Sequence, residues 1–81
     1  MPVVFRKHGY RFLFYSNEGS PREPVHIHVF RAGDDAKVWL EPQIALAESN
    51  GFNSRELSDI MRIVNENRSE IERAWYEHFG D

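Results

Sequence analysis

Cysteine is absent from this 81-residue chain, so neither a disulfide frame nor a thiolate metal site can be built, which fits a reducing compartment. Long apolar runs are missing as well. The longest is Phe12-Leu13-Phe14-Tyr15, far short of the roughly 20 residues that cross a bilayer, and the amino terminus has no apolar signal core. A cytoplasmic protein with no membrane partner is expected. There is no internal repeat, low-complexity tract or linker, so residues 1–81 read as one domain, with sheet over 1–48 and a helical segment over 53–79. At this size only roughly 60% of the unfolded surface is buried on folding, so a partner or a second copy would add stability.

What is present belongs to a globular protein: 41% hydrophobic and 28% charged residues exclude a disordered chain, and six Phe, three Tyr and two Trp supply large side chains for a small core. The net charge of −3 is unevenly spread. Residues 1–40 hold six Lys/Arg against four Asp/Glu, a balance of +2, and residues 41–81 hold four against nine, a balance of −5. An acidic total does not favour general nucleic-acid binding, and a solvated Glu-rich helix accounts for the acidic half.

The chain is organised around Pro21-Arg22-Glu23-Pro24-Val25-His26-Ile27-His28-Val29. In a strand, side chains alternate, so His26 and His28 leave one face while Val25, Ile27 and Val29 leave the other. Before it, residues 3–6 read as a short strand and Lys7-His8-Gly9 as a tight connection in which Gly9 accepts positive φ. Residues 10–15 read as a strand apolar on both sides, hence internal, from which Arg11 must find a partner or an exit to solvent. Ser16-Asn17-Glu18-Gly19-Ser20 is a turn cluster, and the two prolines after it hold residues 21–24 extended. Residues 25–30 form the histidine strand, Ala32-Gly33-Asp34-Asp35 a hairpin turn, and residues 36–40 the return strand, which would set Lys37 and Trp39 beside the histidines. Glu41-Pro42 interrupts the ladder, and Ile44 and Leu46 at spacing two favour an edge strand over residues 43–48.

The clearest local signal is Asn53 with Glu56 three residues on, a capping box flanked by Phe52 and Leu57 as a hydrophobic staple. Leu57, Ile60, Met61, Val64, Ile71, Ala74, Trp75 and Phe79 then follow a helical period up to Gly80. Tyr76 and His78 fall off this stripe and are expected to face solvent or a partner. A continuous helix over 54–79 would be about 39 Å long, about twice a typical strand. A bend or break is expected in Asn65-Glu66-Asn67-Arg68-Ser69, which has no apolar anchor. The fold class is therefore α+β: an antiparallel meander of four or five strands with a kinked or split carboxyl-terminal helix packed on one face.

Gly9-Tyr10-Arg11-Phe12, Phe14-Tyr15-Ser16-Asn17-Glu18, Pro24-Val25-His26-Ile27-His28-Val29, Ala36-Lys37-Val38-Trp39-Leu40 and Glu72-Arg73-Ala74-Trp75 together resemble the small bacterial family catalogued as domain of unknown function number 4160. Its members usually carry a second proline before the first histidine, where this chain has Val25. The resemblance implies a compact prokaryotic α+β protein, often encoded beside a second small protein, an arrangement that has suggested toxin–antitoxin-like pairs, and implies no established activity.

Three roles are open to the histidine pair. Imidazoles at i and i+2 on a strand suit a divalent metal, given a third ligand from His8, Glu23, Glu41 or His78. They also suit acid–base cleavage of RNA or another phosphodiester, with Arg22, Arg11 or Lys37 holding the phosphate. In the bland reading they only anchor the proline-bounded loop against Trp39 and Tyr15. Trp, Tyr and Arg gathered on an open sheet face are also typical of protein recognition. The favoured reading is thus a non-enzymatic interaction module binding a small protein encoded nearby through Arg22, His26, His28, Lys37 and Trp39, with no cofactor or metal and with a homodimer as a further state. A small ribonuclease or metal-dependent phosphodiesterase is the alternative. On the open-face reading, replacing both histidines weakens binding and leaves stability nearly unchanged.

Overall fold

The computed structural model describes residues 3–15 and 23–80. Arg22 and the turn cluster over 16–20 lie outside the described residues. Five strands, β1 (Val3–Lys7), β2 (Tyr10–Leu13), β3 (His26–Arg31), β4 (Asp34–Trp39) and β5 (Ala45–Asn50), form an antiparallel sheet in sequential order, followed by helices α1 (Ser54–Glu66) and α2 (Arg68–Phe79). The expected meander is present with all five strands. The expected edge strand is present, shifted two residues toward the carboxyl end of the expected span, so that Leu46 lies within it and Ile44 just before it.

Turn chemistry sets the register. At the β1–β2 hairpin both His8 and Gly9 have positive φ, 55° and 84°, the backbone that matches the right-handed twist of the paired strands. The β3–β4 connection is tighter than expected. Only Ala32 and Gly33 separate the strands, because Asp34 and Asp35 already pair with Arg31 and Phe30.

Helix packing follows the apolar stripe. Asn53 caps α1: its side chain accepts from the Glu56 N–H at 2.8 Å and the Glu56 carboxylate accepts from the Asn53 N–H at 2.9 Å. The break falls at Asn67, within the expected span. The Asn67 side-chain amide donates to the Ile63 carbonyl at 2.8 Å, where its own backbone N–H also donates at 3.0 Å, and the backbone leaves helical values at ψ 21°. Splitting the helix keeps the longest dimension at 34 Å, below the about 39 Å of an unbroken helix, and lets Ile71 and Trp75 reach the core.

That core joins Tyr10, Phe12, Phe14, Val25, Ile27, Val29, Ala36, Val38 and Leu40 of the sheet segment to Phe52, Ile60, Ile63, Val64, Ile71 and Trp75. Each large apolar side chain so buried contributes about 1.5–3 kcal/mol. β2 lies inside the sheet between β1 and β3, and Arg11 takes the exit to solvent.

Candidate functional site

The alternation argument holds for direction. His26 lies opposite Trp39 and His28 opposite Lys37 in the β3–β4 ladder, so the two imidazoles share a face with both, and their rings stand 5.2 Å apart and nearly perpendicular. It fails for exposure. His26 is 0% exposed and His28 7%, so this side of β3 is not an open sheet face. Other rings cover it. Trp75 approaches His26 to 5.0 Å, Trp39 meets it edge-on at 5.2 Å, and Tyr15 stacks on His28 at 3.8 Å with 15° between planes. The physical reason is scale: in a domain this small the Trp75 indole, in the second half of α2, reaches His26, the first residue of β3.

His26 also has a fixed proton. Its Nδ1 lies 2.9 Å from the Pro24 carbonyl oxygen. Carbonyls only accept, so Nδ1 carries the hydrogen and donates it. The ring thereby pins the proline-bounded entry to β3, which is the anchoring role weighed for the pair.

Lys37 and Trp39 remain half-buried on the same face. The Lys37 ammonium sits 4.3 Å from the Trp39 ring centroid and 3.5 Å from a Glu23 carboxylate oxygen, so carboxylate, cation and indole form one stacked unit. Arg22, the remaining expected site residue, lies outside the described residues.

Beside this unit the fold assembles something not anticipated. Two Glu-Pro dipeptides, Glu23-Pro24 and Glu41-Pro42, bracket the β3–β4 hairpin. Antiparallel pairing brings them to the same end of the sheet, where the Leu40 N–H donates to the Val25 carbonyl at 2.8 Å. α2 delivers Trp75 and Tyr76 there, and the Tyr76 hydroxyl donates to Glu41 at 3.2 Å. Two clefts result. One is lined by Glu23, Pro24, Val25, Glu41, Trp75 and Tyr76, the other by Pro24, Trp39, Glu41, Pro42, Gln43 and Ala45, so Pro24 and Glu41 form the ridge between them. The repeated Glu-Pro spacing around a hairpin was the signal in the sequence that could have found this end. Tyr76 is 38% exposed and His78 is also exposed, both off the stripe as expected, while Trp75 is fully buried.

Among the described residues, no three histidine or carboxylate side chains gather as a metal would require. Of the third ligands considered, His8 sits in the β1–β2 turn, His78 lies against Phe14 and Phe79, and Glu41 is bonded to Tyr76. Glu23 comes nearest, its carboxylate 4.0 Å from the His26 Nδ1 that already serves Pro24. Arg11, considered as a phosphate holder, pairs with Phe30 in the ladder, two positions beyond the Leu13–His28 pair.

No helix of the described residues is long and apolar enough to cross a membrane. Comparison with curated proteins and with solved structures gave no match. A family model does match, under the description "Domain of unknown function (DUF4160)", over residues 9–76. That span runs from the β1–β2 turn through every element of the site to Tyr76, most of the chain, and on it the protein belongs to the DUF4160 family.

Proposed function

We propose that this protein is a non-enzymatic interaction module of a bacterial, cytoplasmic two-protein pair of the toxin–antitoxin-like kind, and that it meets its small protein partner through the rim around Trp39 and Lys37. The supporting observation is the burial of His26. A general base must come within hydrogen-bond reach of the proton it takes, and a ring at 0% exposure with Nδ1 committed to Pro24 offers a substrate no such approach. The imidazoles thus serve as the foundation of the surface. Above them stand a half-buried indole, a lysine and a glutamate, the mixture of aromatic anchor and polar rim found at binding hot spots.

The test is titration calorimetry of the purified protein with the product of the adjacent gene. Trp39→Ala is expected to weaken binding by about 2 kcal/mol, roughly 30-fold, with the far-ultraviolet spectrum unchanged. Absence of binding by the wild type removes this reading. Incubation with RNA, with and without chelator, tests the rival: cleavage lost on His28→Ala would assign a phosphodiesterase instead.

A further inference from the structure

Resting on the interaction-module reading, we infer that the two clefts divided by Glu41 are the seat for an arginine-bearing segment of the partner. Charge complementarity carries this. On one side of the ridge Glu23 already has its cation, Lys37 at 3.5 Å, which is in turn laid on the Trp39 ring at 4.3 Å. Glu41, on the ridge itself and in the same cleft as Glu23, has no such cation. It is half-buried, bordered by Pro24, Pro42, Trp75 and Tyr76, and bonded to the neutral Tyr76 hydroxyl; among the described residues no Lys, Arg or His pairs with it.

A carboxylate partly withdrawn from water is stabilised by a cation that also tolerates desolvation. Guanidinium is the better candidate because it is weakly hydrated, bonds a carboxylate through two N–H groups and stacks on aromatic faces. Its aliphatic stem needs apolar walls, which Pro24, Val25, Pro42 and Ala45 supply. Trp75 lies behind the cleft surface. Its indole N–H is buried and has no acceptor among the described residues, although the ring forms part of the cleft wall. At 0% exposure that N–H is out of a ligand's direct reach, so Trp75 serves the site as a buried wall and as a reporter of its occupation. The −5 balance of residues 41–81 attracts such a basic segment from a distance.

The two tryptophans of the chain are Trp39 and Trp75, one in each cleft, so the site carries its own reporters. The probe is a short Gly/Ser peptide bearing two arginines, with a control in which citrulline replaces them, titrated into the full ¹⁵N-labelled chain while the indole N–H signals are followed. Saturable shifts at both indoles are expected, absent with citrulline and weaker in added salt. Glu41→Gln, which keeps an acceptor for Tyr76 and removes the charge, is expected to raise the dissociation constant about tenfold, about 1.4 kcal/mol. Unmoved indoles, equal shifts with the citrulline peptide, or unchanged affinity in Glu41→Gln would overturn the inference. The adjacent gene's product separates the two claims. If it binds wild type and Glu41→Gln alike, the arginine seat is wrong and the module reading stands; if the peptide binds Glu41-dependently and that protein does not bind, the reverse holds.

Discussion

Burial of the histidine pair reverses the effect expected of removing it. His26→Ala deletes an imidazole packed between Trp39, Trp75 and His28 at 0% exposure, and removes the donor to Pro24. Emptying a ring-sized volume in a core costs about 2–4 kcal/mol, and the lost hydrogen bond adds about 1 kcal/mol. A chain of this length has a total stability on the order of 4–12 kcal/mol, so the variant is expected to lose about a quarter of it or more. With a urea slope of about 1 kcal/mol/M for a domain this small, the unfolding midpoint should fall by about 3–5 M, and Tm by more than about 10 °C. His28→Ala, which removes the face-to-face contact with Tyr15 at 3.8 Å from a less deeply buried position, should cost at least about 1 kcal/mol. Urea unfolding followed by tryptophan fluorescence reads both variants. A His26→Ala loss under about 1 kcal/mol, with near-ultraviolet dichroism intact, would refute the packing described and restore the open-face reading.

Backbone positions make sharper tests than contacts. Ala32 holds φ 55° at the β3–β4 turn, a conformation that costs an L-residue about 1–2 kcal/mol, so Ala32→Gly is expected to stabilise by about 1 kcal/mol in urea titration; no gain would mean the turn is not strained there. Gly51, at φ 97°, is the opposite case: an added Cβ would fall on the Asp34 carboxylate, and Gly51→Ala should destabilise by at least about 2 kcal/mol, with a change within about 0.5 kcal/mol counting against the geometry. Arg31 lies over the Tyr10 ring at 4.5 Å and pairs with Glu56, whose other oxygen closes the α1 capping box. Single replacements of Arg31 or Glu56 by Ala should each cost about 1–2 kcal/mol, but the coupling in a double-mutant cycle should stay under about 1 kcal/mol, because the two side chains remain 36% and 24% exposed.

Local chemistry explains which parts of the fold were readable beforehand. Asn53 and Glu56 are three residues apart and need nothing else to form their cap, and the His8-Gly9 turn is equally local. Both were legible. Strand parity, a property of backbone geometry, placed His26 and His28 beside Trp39 and Lys37 correctly. Exposure is different in kind. Whether the imidazoles see water depends on Trp75, 49 positions after His26 in the chain, and on how far the break at Asn67 lets α2 reach around the sheet end. Periodicity identified Trp75 as core without saying which face of the sheet its ring would touch. The Glu23–Lys37 and Arg31–Glu56 pairs were likewise invisible, since ion pairs between distant segments leave no spacing to read.

Those long-range contacts also connect the two halves of the functional reading. Pro24 is held by the His26 Nδ1–H and at the same time forms the ridge between the two clefts, so the buried ring and the surface groove share one residue. Trp39 and Trp75, the two indoles in contact with His26, are the walls of the same clefts. A histidine at position 26 thus supplies two things no aliphatic residue could: an aromatic ring against both indoles and a donor for the Pro24 carbonyl. A substitution there should therefore disturb the groove even though His26 never touches a ligand, whereas Glu41→Gln should change binding and leave the core as it is. Affinity and stability are coupled at one position and separable at the other, which is the distribution expected when a buried polar ring supports a charged rim.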